Sequence, residues 1–266
     1  MLGIVIPAYN EQDDIEACLS AADEAARHPC LGGEDVRILV VLDSCTDNTA
    51  MLVAKSGFDA LAVNARNVGE ARAAGAAAHI ASGARWLAFT DADTQVAPDW
   101  LVQQLALNAD AVCGTVSVDD WTPHGKHGDL LRWHFHQTYT DADGHSHIHG
   151  ANLGVSSEAY RGAGGFQHLA CSEDVALIAA LEAIGASIAW SARPRVVTSA
   201  RRIGRTAGGF AAALNQAIKS RLAERSLKFD AALENFPLQC DLAAASPLTQ
   251  ESAESSHLRD QRNANI

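Results

Sequence analysis

Residues 85–95 read RWLAFTDADTQ, a nearly apolar run that is followed at once by two aspartates. Asp91 and Asp93 are separated by one alanine, so on an extended backbone their side chains point the same way. Two crowded carboxylates repel each other unless a cation joins them, and hard divalent ions such as Mg²⁺ and Mn²⁺ prefer such oxygen ligands. The segment therefore predicts a buried strand ending at a metal site, or else a turn in which one Asp caps the helix starting near Pro98.

Strand and helix patterns alternate outward from this segment. Apolar, β-rich runs predict strands at 2–7, 36–43, 59–64, 85–91, 109–118, 145–156 and 187–198. Helical spacing or helix end signals predict helices at 11–28, 46–57, 67–83, 98–108, 128–139, 156–166, 172–185 and 206–225. In the segment 172–185, Ser172 is expected to cap the helix and Gly185 to end it.

This alternation favours an α/β fold with a mostly parallel central sheet and helices on both faces. The strands are continuous apolar runs, as expected when both faces of a sheet are covered. Ligands of such sheets bind at the carboxyl ends of the strands. Tyr9, Asn10, Asp43, Asp91 and Asp93 all fall at such ends, which predicts one site there.

Bulk composition excludes several classes of protein. The chain has 266 residues, 48% of them hydrophobic, and a net charge of −12, which argues against nucleic-acid binding. It has no apolar run long enough to span a membrane, and its start reads as a strand instead of a signal peptide. The six scattered cysteines form no C-x-x-C pair, so reduced thiols in the cytosol are expected.

Six motifs follow one another along the chain. In order they are VIPAYNE, VLDSCTDNT, NVGEARAAG, FTDADT, GANLGVSSEAYRGAGGF and SEDVALIAAL. Together they resemble the family 2-type glycosyltransferases of the GT-A fold, over roughly residues 2–210. The resemblance implies one domain over 1–235, with a nucleotide-sugar-binding half at 1–95 and an acceptor half at 96–235. A polar, Ser-rich and mobile tail is expected at 236–266.

The resemblance also implies which residues hold the donor. Pro7, Ala8, Tyr9 and Glu11 match the loop that receives the nucleotide base, with Tyr9 lying against the base. Asp43 matches the acidic residue that hydrogen-bonds the base, although Leu42 stands where the family usually has a second acid. Arg72 lies in the segment that usually carries a basic residue near the donor, in a shortened form here.

The implied chemistry is an inverting sugar transfer. Asp91 and Asp93 match the D-x-D site, where Mn²⁺ or Mg²⁺ and the donor diphosphate meet. Glu173 and Asp174 match the "ED" motif, whose aspartate is the base that deprotonates an acceptor hydroxyl. The alternative for these two acids is simple stabilisation of a helix start. The nucleotide, the sugar and the acceptor stay open, and so do the oligomeric state and a third metal ligand.

The last part of the sequence is basic. Residues 193–266 carry 11 Lys/Arg and 7 Asp/Glu in an otherwise acidic chain. Within them, Arg201, Arg202 and Arg205 are expected to grip the diphosphate from a glycine-rich lid, or else to form a solvated basic face.

A row of histidines, His145, His147 and His149, is expected on one strand face. Such a row can bind a metal ion or simply line a groove, and we favour the groove. His149 and Asn152 are the expected acceptor-side residues.

Other functions fit the sequence less well. A haloacid-dehalogenase-type phosphatase also uses D-x-D, but here Gln95 departs from its motif and three strands precede it. A nucleotidyltransferase on a related fold needs a Gly/Arg-rich loop that PAYNEQDD does not supply. A non-catalytic nucleotide-sugar-binding relative remains open. We expect a cytoplasmic enzyme acting on a soluble acceptor or on one at the inner membrane surface.

Overall fold

The structure is a computed structural model, and it describes residues 1–169, 171–204 and 209–221. The strands are β1 Leu2–Ala8, β2 Val36–Asp43, β3 Asp59–Val63, β4 Trp86–Phe89, β5 Thr94–Val96, β6 Ala111–Gly114, β7 Leu153–Ser156, β8 Ile188–Ser191 and β9 Val196–Thr198. The helices are α1 Ile15–Ala26, α2 Thr49–Ser56, α3 Val68–Ala81, α4 Trp100–Ala106, α5 Gly128–Thr138, α6 Ser157–Gly162 and α7 Glu173–Ala183. A further helix, α8, covers residues 210–221.

The central sheet of the described chain has seven strands in the order β3-β2-β1-β4-β7-β6-β8. The first four pair in parallel, β7 runs antiparallel to both β4 and β6, and β8 is parallel to β6. The short strands β5 and β9 form a separate antiparallel pair. The predicted α/β fold with a mostly parallel sheet is confirmed, because a single strand runs against the others.

Helices cover both faces of the sheet, as the continuous apolar strands predict. On one face, Ile4 and Ile6 of β1 pack in the same core cluster as Leu19 of α1 and Trp100 of α4. On the other face, Val5 of β1 packs in a cluster with residues of α3 and α7. Burying side chains of this size stabilises the fold by about 1.5–3 kcal/mol each.

Gly75 explains how closely α3 approaches the sheet. A Cβ atom at this position would lie 2.5 Å from Cγ1 of Val5, which no real contact allows. The glycine therefore lets the helix backbone sit directly on β1 and β2. This close packing fixes the N-terminal end of α3 beside the carboxyl ends of those strands.

Four local predictions were wrong. The segment predicted as a strand at 145–156 is a strand only over Leu153–Ser156, and the one at 187–198 is divided by a turn that contains Pro194. The strand β5 was missed, since three residues are too short for a recognisable pattern. Ser172 precedes α7 but makes no capping bond with its side chain, because its backbone is left-handed at φ 61° instead of extended.

The described residues all belong to one compact unit, bounded at Met1–Ala223. The predicted tail at 236–266 and the C-terminal end of the predicted helix 206–225 lie outside the described residues. No helix in the part of the chain that the structure describes is long and apolar enough to cross a membrane.

Candidate active site

A cleft of about 640 Å³ opens at the carboxyl ends of β1 and β2 and extends past the end of β4 to the start of α7. This volume is within the range of ordinary small-molecule sites. Most of the residues predicted for the site line it, namely Pro7, Ala8, Tyr9, Glu11, Asp43, Arg72, Asp91, Asp93, His149, Glu173, Asp174 and Arg201. The fold thus brings together residues that are far apart in the sequence, such as Pro7 and Arg201.

Asp91 and Asp93 reach the cleft from a turn at the end of β4. The strand ends at the fully buried Phe89, and the turn is closed by the Thr94 amide, which donates to the Asp91 carbonyl at 3.0 Å. Ala92 between them is buried and anchors the turn in the core. The two carboxylates therefore flank a buried residue on a turn, whereas the sequence predicted them on an extended segment.

Arg72 links the D-x-D segment to the ED pair. Its guanidinium donates to Asp91 Oδ1 at 2.5 Å and to Glu173 Oε1, and its side chain is 4% exposed. Burial lowers the pKa of Arg72, but Asp91, Glu173 and Asp174 together raise it above its usual value, so the group stays charged. Burial raises the pKa of Glu173, which the shared guanidinium only partly offsets.

The surroundings of Arg72 fix the position of its guanidinium. The group lies over the Phe166 ring, 5.9 Å from its centroid. On another side, a Cβ at Gly150 would come within 2.4 Å of the guanidinium carbon, so the backbone of Gly150 packs directly against it. Glycine at this position therefore leaves the space that the guanidinium fills.

Arg201 makes a second link between acidic residues of the cleft. Its guanidinium donates to Glu11 Oε2 at 2.6 Å and pairs with Asp93. Burial raises the pKa of Asp93 to about 7; Arg201 opposes this rise, while Asp91, Glu11 and Asp14 add to it. One arginine therefore does not neutralise the acidic groups gathered at Asp93.

The cleft as a whole carries excess negative charge. Among the described residues, six carboxylates line it, from Glu11, Asp43, Asp91, Asp93, Glu173 and Asp174, against the three arginines Arg66, Arg72 and Arg201. A diphosphate would enter this cleft against net repulsion unless a further cation accompanied it.

A divalent cation fits the donor set at the D-x-D turn. Among the described residues, Asp91 Oδ2 has no hydrogen-bond partner, and Asp93 Oδ1 has only a 3.4 Å contact with the Thr94 hydroxyl. Each aspartate thus keeps a carboxylate oxygen for a metal ion while its other oxygen pairs with an arginine. No set of three His, Cys, Asp or Glu side chains within the described ranges forms a complete metal cage, so water or substrate oxygens would have to supply the remaining ligands.

Asp174 is oriented by the backbone at the start of α7. Its Oδ2 accepts the Gly150 amide at 2.8 Å, and its Oδ1 accepts the Val175 amide at 2.8 Å. The side chain is half-buried and lines the cleft. The carboxylate is therefore held in one orientation with access to a ligand, as a general base requires.

Asp43 holds the loop that precedes α3. Its carboxylate accepts three backbone amides, those of Ala65, Arg66 and Asn67, each at 2.8 Å. Burial raises the pKa of Asp43, but these bonds outweigh burial and leave the pKa below its ordinary value. The arrangement commits both oxygens to the loop and places Arg66 and Asn67 on the cleft wall.

The histidine row lies in a loop, and its rings stack. His147 lies 4.0 Å from Tyr139, centroid to centroid, at an interplanar angle of 6°, and His145 and His149 stack on His147 at 5.4 and 5.9 Å. A ring nitrogen of His147 accepts the Thr140 amide, and one of His145 accepts the His147 amide. Parallel rings with nitrogens in use do not converge on a metal ion, and His149 alone of the row lines the cleft.

A match to a family model decides which family this chain belongs to. The family model described as Glycosyl transferase family 2 matches residues 3–162, which is more than half of the chain. The chain belongs to glycosyltransferase family 2. The matched segment contains β1 to β7 and therefore the D-x-D turn, whereas the ED pair at the start of α7 lies beyond it.

Solved structures similar to this family 2 chain are GT-A glycosyltransferases, which confirms the predicted fold. Residues 1–349 of S. aureus TarS with UDP-GlcNAc are 14% identical, with a TM-score of 0.55, over 79% of this chain and 61% of that one. The Pyrobaculum calidifontis mannosyltransferase PcManGT with GDP-Man and Mn²⁺ is 20% identical, with a TM-score of 0.53, over 77% and 58%. Glucosyl-3-phosphoglycerate synthase of Mycobacterium tuberculosis with Mn²⁺, UDP and phosphoglyceric acid is 18% identical, with a TM-score of 0.50, over 76% and 71%.

These likenesses concern the fold. The chain spans only 36–61% of the length of three TarS chains with this fold. The activities of those proteins therefore cannot be assigned to this chain on the likeness alone. A search of curated proteins finds no match.

Two residues predicted for the candidate site lie elsewhere. Asn152 is buried and does not line the cleft, because its amide bonds the Trp100 indole and two backbone carbonyls. Arg202 is exposed and is not among the described residues of the cleft wall. Arg205 lies outside the described residues, so its part in the predicted lid stays a prediction, whereas Arg201 lines the cleft.

Sequence reasoning missed some residues in and around the cleft. Arg66 could have been suspected from its place in NARN, directly before α3. Ser199 follows β9, and nothing in its sequence surroundings marks it out. Tyr139 does not line the cleft itself, and it was passed over because only the folded loop brings its hydroxyl to His149.

Proposed function

We propose that this family 2 protein transfers a sugar from a nucleoside diphosphate sugar to an acceptor hydroxyl, with a divalent metal ion and with inversion at the anomeric carbon. One observation carries the proposal: the D-x-D carboxylates and Asp174 line the same cleft, joined through Arg72 and Glu173. A metal-and-diphosphate site and a base in the same cleft are what a single in-line displacement needs.

The donor end of the cleft would hold the nucleotide. Pro7 and Ala8 end β1 on this wall, and Tyr9 directly after them offers a half-buried ring against which a base can stack. Asp43 would act on the base mainly by fixing the loop at 65–67, since its oxygens already accept three amides. Arg66, on the same loop, is a basic residue of the cleft wall that sequence reasoning did not include.

The diphosphate would lie between the two arginine links. Asp91 and Asp93 would hold Mn²⁺ or Mg²⁺, which neutralises the charge that develops on the leaving nucleoside diphosphate. Arg201 pairs with Asp93 and Glu11, so its guanidinium is already placed to share charge with a phosphate oxygen. The buried Arg72 would hold the carboxylates of Asp91 and Glu173 in fixed positions.

The acceptor hydroxyl would approach Asp174. As its oxygen forms a bond to the anomeric carbon, the bond from that carbon to the diphosphate oxygen breaks, and the hydroxyl proton passes to Asp174. The backbone amides of Gly150 and Val175 keep the carboxylate aimed during this step. Such a base contributes roughly 10²–10⁴ to the rate, and positioning and charge supply the rest.

The donor class and the location of the reaction belong to the same proposal. Similar folds are known with UDP, UDP-GlcNAc and GDP-Man, which supports a UDP- or GDP-hexose as the donor. We propose a cytoplasmic reaction on a soluble acceptor, or on an acceptor presented at the inner membrane surface.

A thermal-shift panel tests the proposal. UDP-, GDP- and TDP-sugars are added to the purified protein with and without Mn²⁺, because a ligand that binds the folded state raises the melting temperature. We expect one nucleotide class to stabilise the protein only with Mn²⁺, and that donor to release nucleoside diphosphate slowly without an acceptor. Stabilisation by a nucleotide sugar without nucleotide release would indicate a non-catalytic relative. Release of phosphate from phosphomonoesters would indicate a phosphatase. Either result would refute the transfer reaction.

A further inference from the structure

Tyr139 and His149 share a hydrogen bond at the edge of the cleft. The Tyr139 hydroxyl lies 2.9 Å from His149 Nε2, and the same oxygen accepts the Val116 amide at 2.8 Å. Among the described residues the hydroxyl has no third partner. Donation to His149 Nε2 gives the hydroxyl hydrogen an acceptor, whereas donation from an Nε2–H group would leave that hydrogen without an acceptor among the described residues.

This bond determines the tautomer of His149. If Nε2 accepts from Tyr139, a neutral ring carries its proton on Nδ1. Burial, together with the neighbouring His147 and His145, lowers the pKa of His149 to about 4, although Asp174 and Asp91 oppose the shift. The ring is therefore neutral near pH 7, and one N–H group remains that has no partner among the described residues.

The ring stack keeps the His149 imidazole in place. Tyr139 is packed between Phe135, 4.5 Å away, and His147, 4.0 Å away, so neither face of the phenol is open to a ligand. His149 stacks on His147 at 5.9 Å. Of the rings in this stack, that of His149 lines the cleft.

The neighbouring residue places His149 beside the proposed base. Gly150 directly follows His149, and its amide donates to Asp174 Oδ2 at 2.8 Å. A donor and a carboxylate thus share one wall of the cleft. An acceptor molecule that places a hydroxyl on Asp174 can offer a second oxygen to His149.

We propose that His149 is an acceptor-recognition residue: Tyr139 fixes its Nδ1–H tautomer, and this N–H donates to an oxygen next to the hydroxyl that reacts at Asp174. The inference rests on the proposed function and narrows its acceptor to polyoxygenated compounds, such as sugars and other vicinal diols. A simple monoalcohol lacks the second oxygen and leaves the N–H unpaired, which costs binding.

The tautomer is tested first, on the protein without ligand. Nitrogen-15 NMR of the histidine rings, with His149 assigned by its loss in His149→Asn, is recorded between pH 6 and 8 for the wild type and Tyr139→Phe. We expect a neutral Nδ1–H ring in the wild type and a shift toward Nε2–H in Tyr139→Phe, which keeps the ring stack. A protonated ring or an Nε2–H tautomer in the wild type would overturn the assignment.

The recognition role is tested with two probes, glycerol as a vicinal polyol and 1-propanol as a monoalcohol. Each is added with the donor that the thermal-shift panel identifies, and the stimulation of nucleotide release is measured. We expect the wild type to favour glycerol, His149→Ala to lower the glycerol rate about tenfold, and His149→Asn, which keeps an N–H near the position of Nδ1, to recover most of it. His136→Asn, at an exposed position outside the cleft wall, is the matched control.

The outcomes separate the two proposals. Equal rates with both probes, or a glycerol preference that survives in His149→Ala, would overturn the recognition role while the transfer reaction stands. If no donor releases nucleotide, the transfer reaction fails and the recognition role fails with it, whereas the tautomer is still decided by NMR.

Discussion

The buried guanidinium of Arg72 donates a hydrogen bond to the carboxylate of Glu173, which lies 101 residues further along the chain. The same guanidinium holds Asp91 at 2.5 Å. One arginine thus connects the end of β4, which carries the D-x-D turn, with the start of α7, which carries the ED pair. The distance between the metal-binding and base-bearing walls of the cleft depends on this link.

Arg72→Met should therefore destabilise the fold strongly. It leaves Glu173 and Asp91 without their partner, and breaking a buried ion pair costs about 3–5 kcal/mol in free energy of unfolding. Urea denaturation measures the loss. Adding Glu173→Gln should lessen the cost of Arg72→Met, since a neutral amide needs no counter-charge; full additivity of the two losses would disprove the coupling. Arg132→Met, which removes an exposed ion pair with Asp129, serves as control.

Asp93→Asn should abolish the effect of Mn²⁺. In the wild type, Mn²⁺ with a nucleotide should raise stability by about 2.7 kcal/mol at a ligand concentration of 100 Kd. The variant keeps the size of the side chain but loses the charge in an acidic cluster, so calorimetric melting should no longer respond to the metal. Asp35→Asn, at an exposed position, should respond as the wild type does. A metal response retained in Asp93→Asn would remove this residue from the metal site.

Asp174→Asn should separate binding from transfer. The amide oxygen can still accept the Gly150 N–H, but the group can no longer take a proton. We expect acceptor-dependent transfer to fall by roughly 10²–10⁴ while the nucleotide-dependent shift in melting temperature stays. Transfer at the wild-type rate would show that another group is the base. Asp129→Asn, exposed on α5, controls for loss of a carboxylate as such.

Asp43→Asn should change how stability depends on pH. The folded-state pKa of Asp43 is lowered, so its contribution is fully present above the unfolded pKa of about 3.9 and is lost as the pH falls through the folded value. At pH 7 we expect the variant to be less stable by about 2 kcal/mol, because an amide cannot accept all three N–H groups. Denaturation at several pH values should show this difference shrink below pH 4. A difference that stays constant to pH 2 would contradict the charge-based explanation.

Asn152→Ala should lower the free energy of unfolding, measured by urea denaturation, by about 3 kcal/mol. The side chain accepts the Trp100 indole N–H at 2.8 Å and donates to the carbonyls of Thr115 and Pro194. Its removal leaves three buried polar groups without partners, each at a cost of about 1–3 kcal/mol before local relaxation. Gln137→Ala, at an exposed position on α5, should have little effect. A loss below about 1 kcal/mol would mean that Asn152 is not the structural bridge described above.

Part of the candidate site could be predicted because its residues stand at the ends of patterned elements. Asp43 ends an apolar strand, and Glu173 begins an apolar helix, so each could be assigned to the site edge from its position alone. Asn152 could not be judged in this way. Its surroundings are typical of the family's acceptor wall, yet the fold turns its amide toward Trp100, which no local pattern reveals.

The sequence by itself determined the alternation of strands and helices, the parallel sheet and the carboxyl edge as the place of chemistry, because these depend on short-range periodicity. Only the tertiary structure decided how the charges pair. Arg72 meets Glu173 and Arg201 meets Glu11 across 101 and 190 residues, and the Tyr139 hydroxyl fixes the tautomer of His149. Electrostatic and hydrogen-bond partners are set by distances of a few ångströms, which a chain acquires only when distant segments pack against one another.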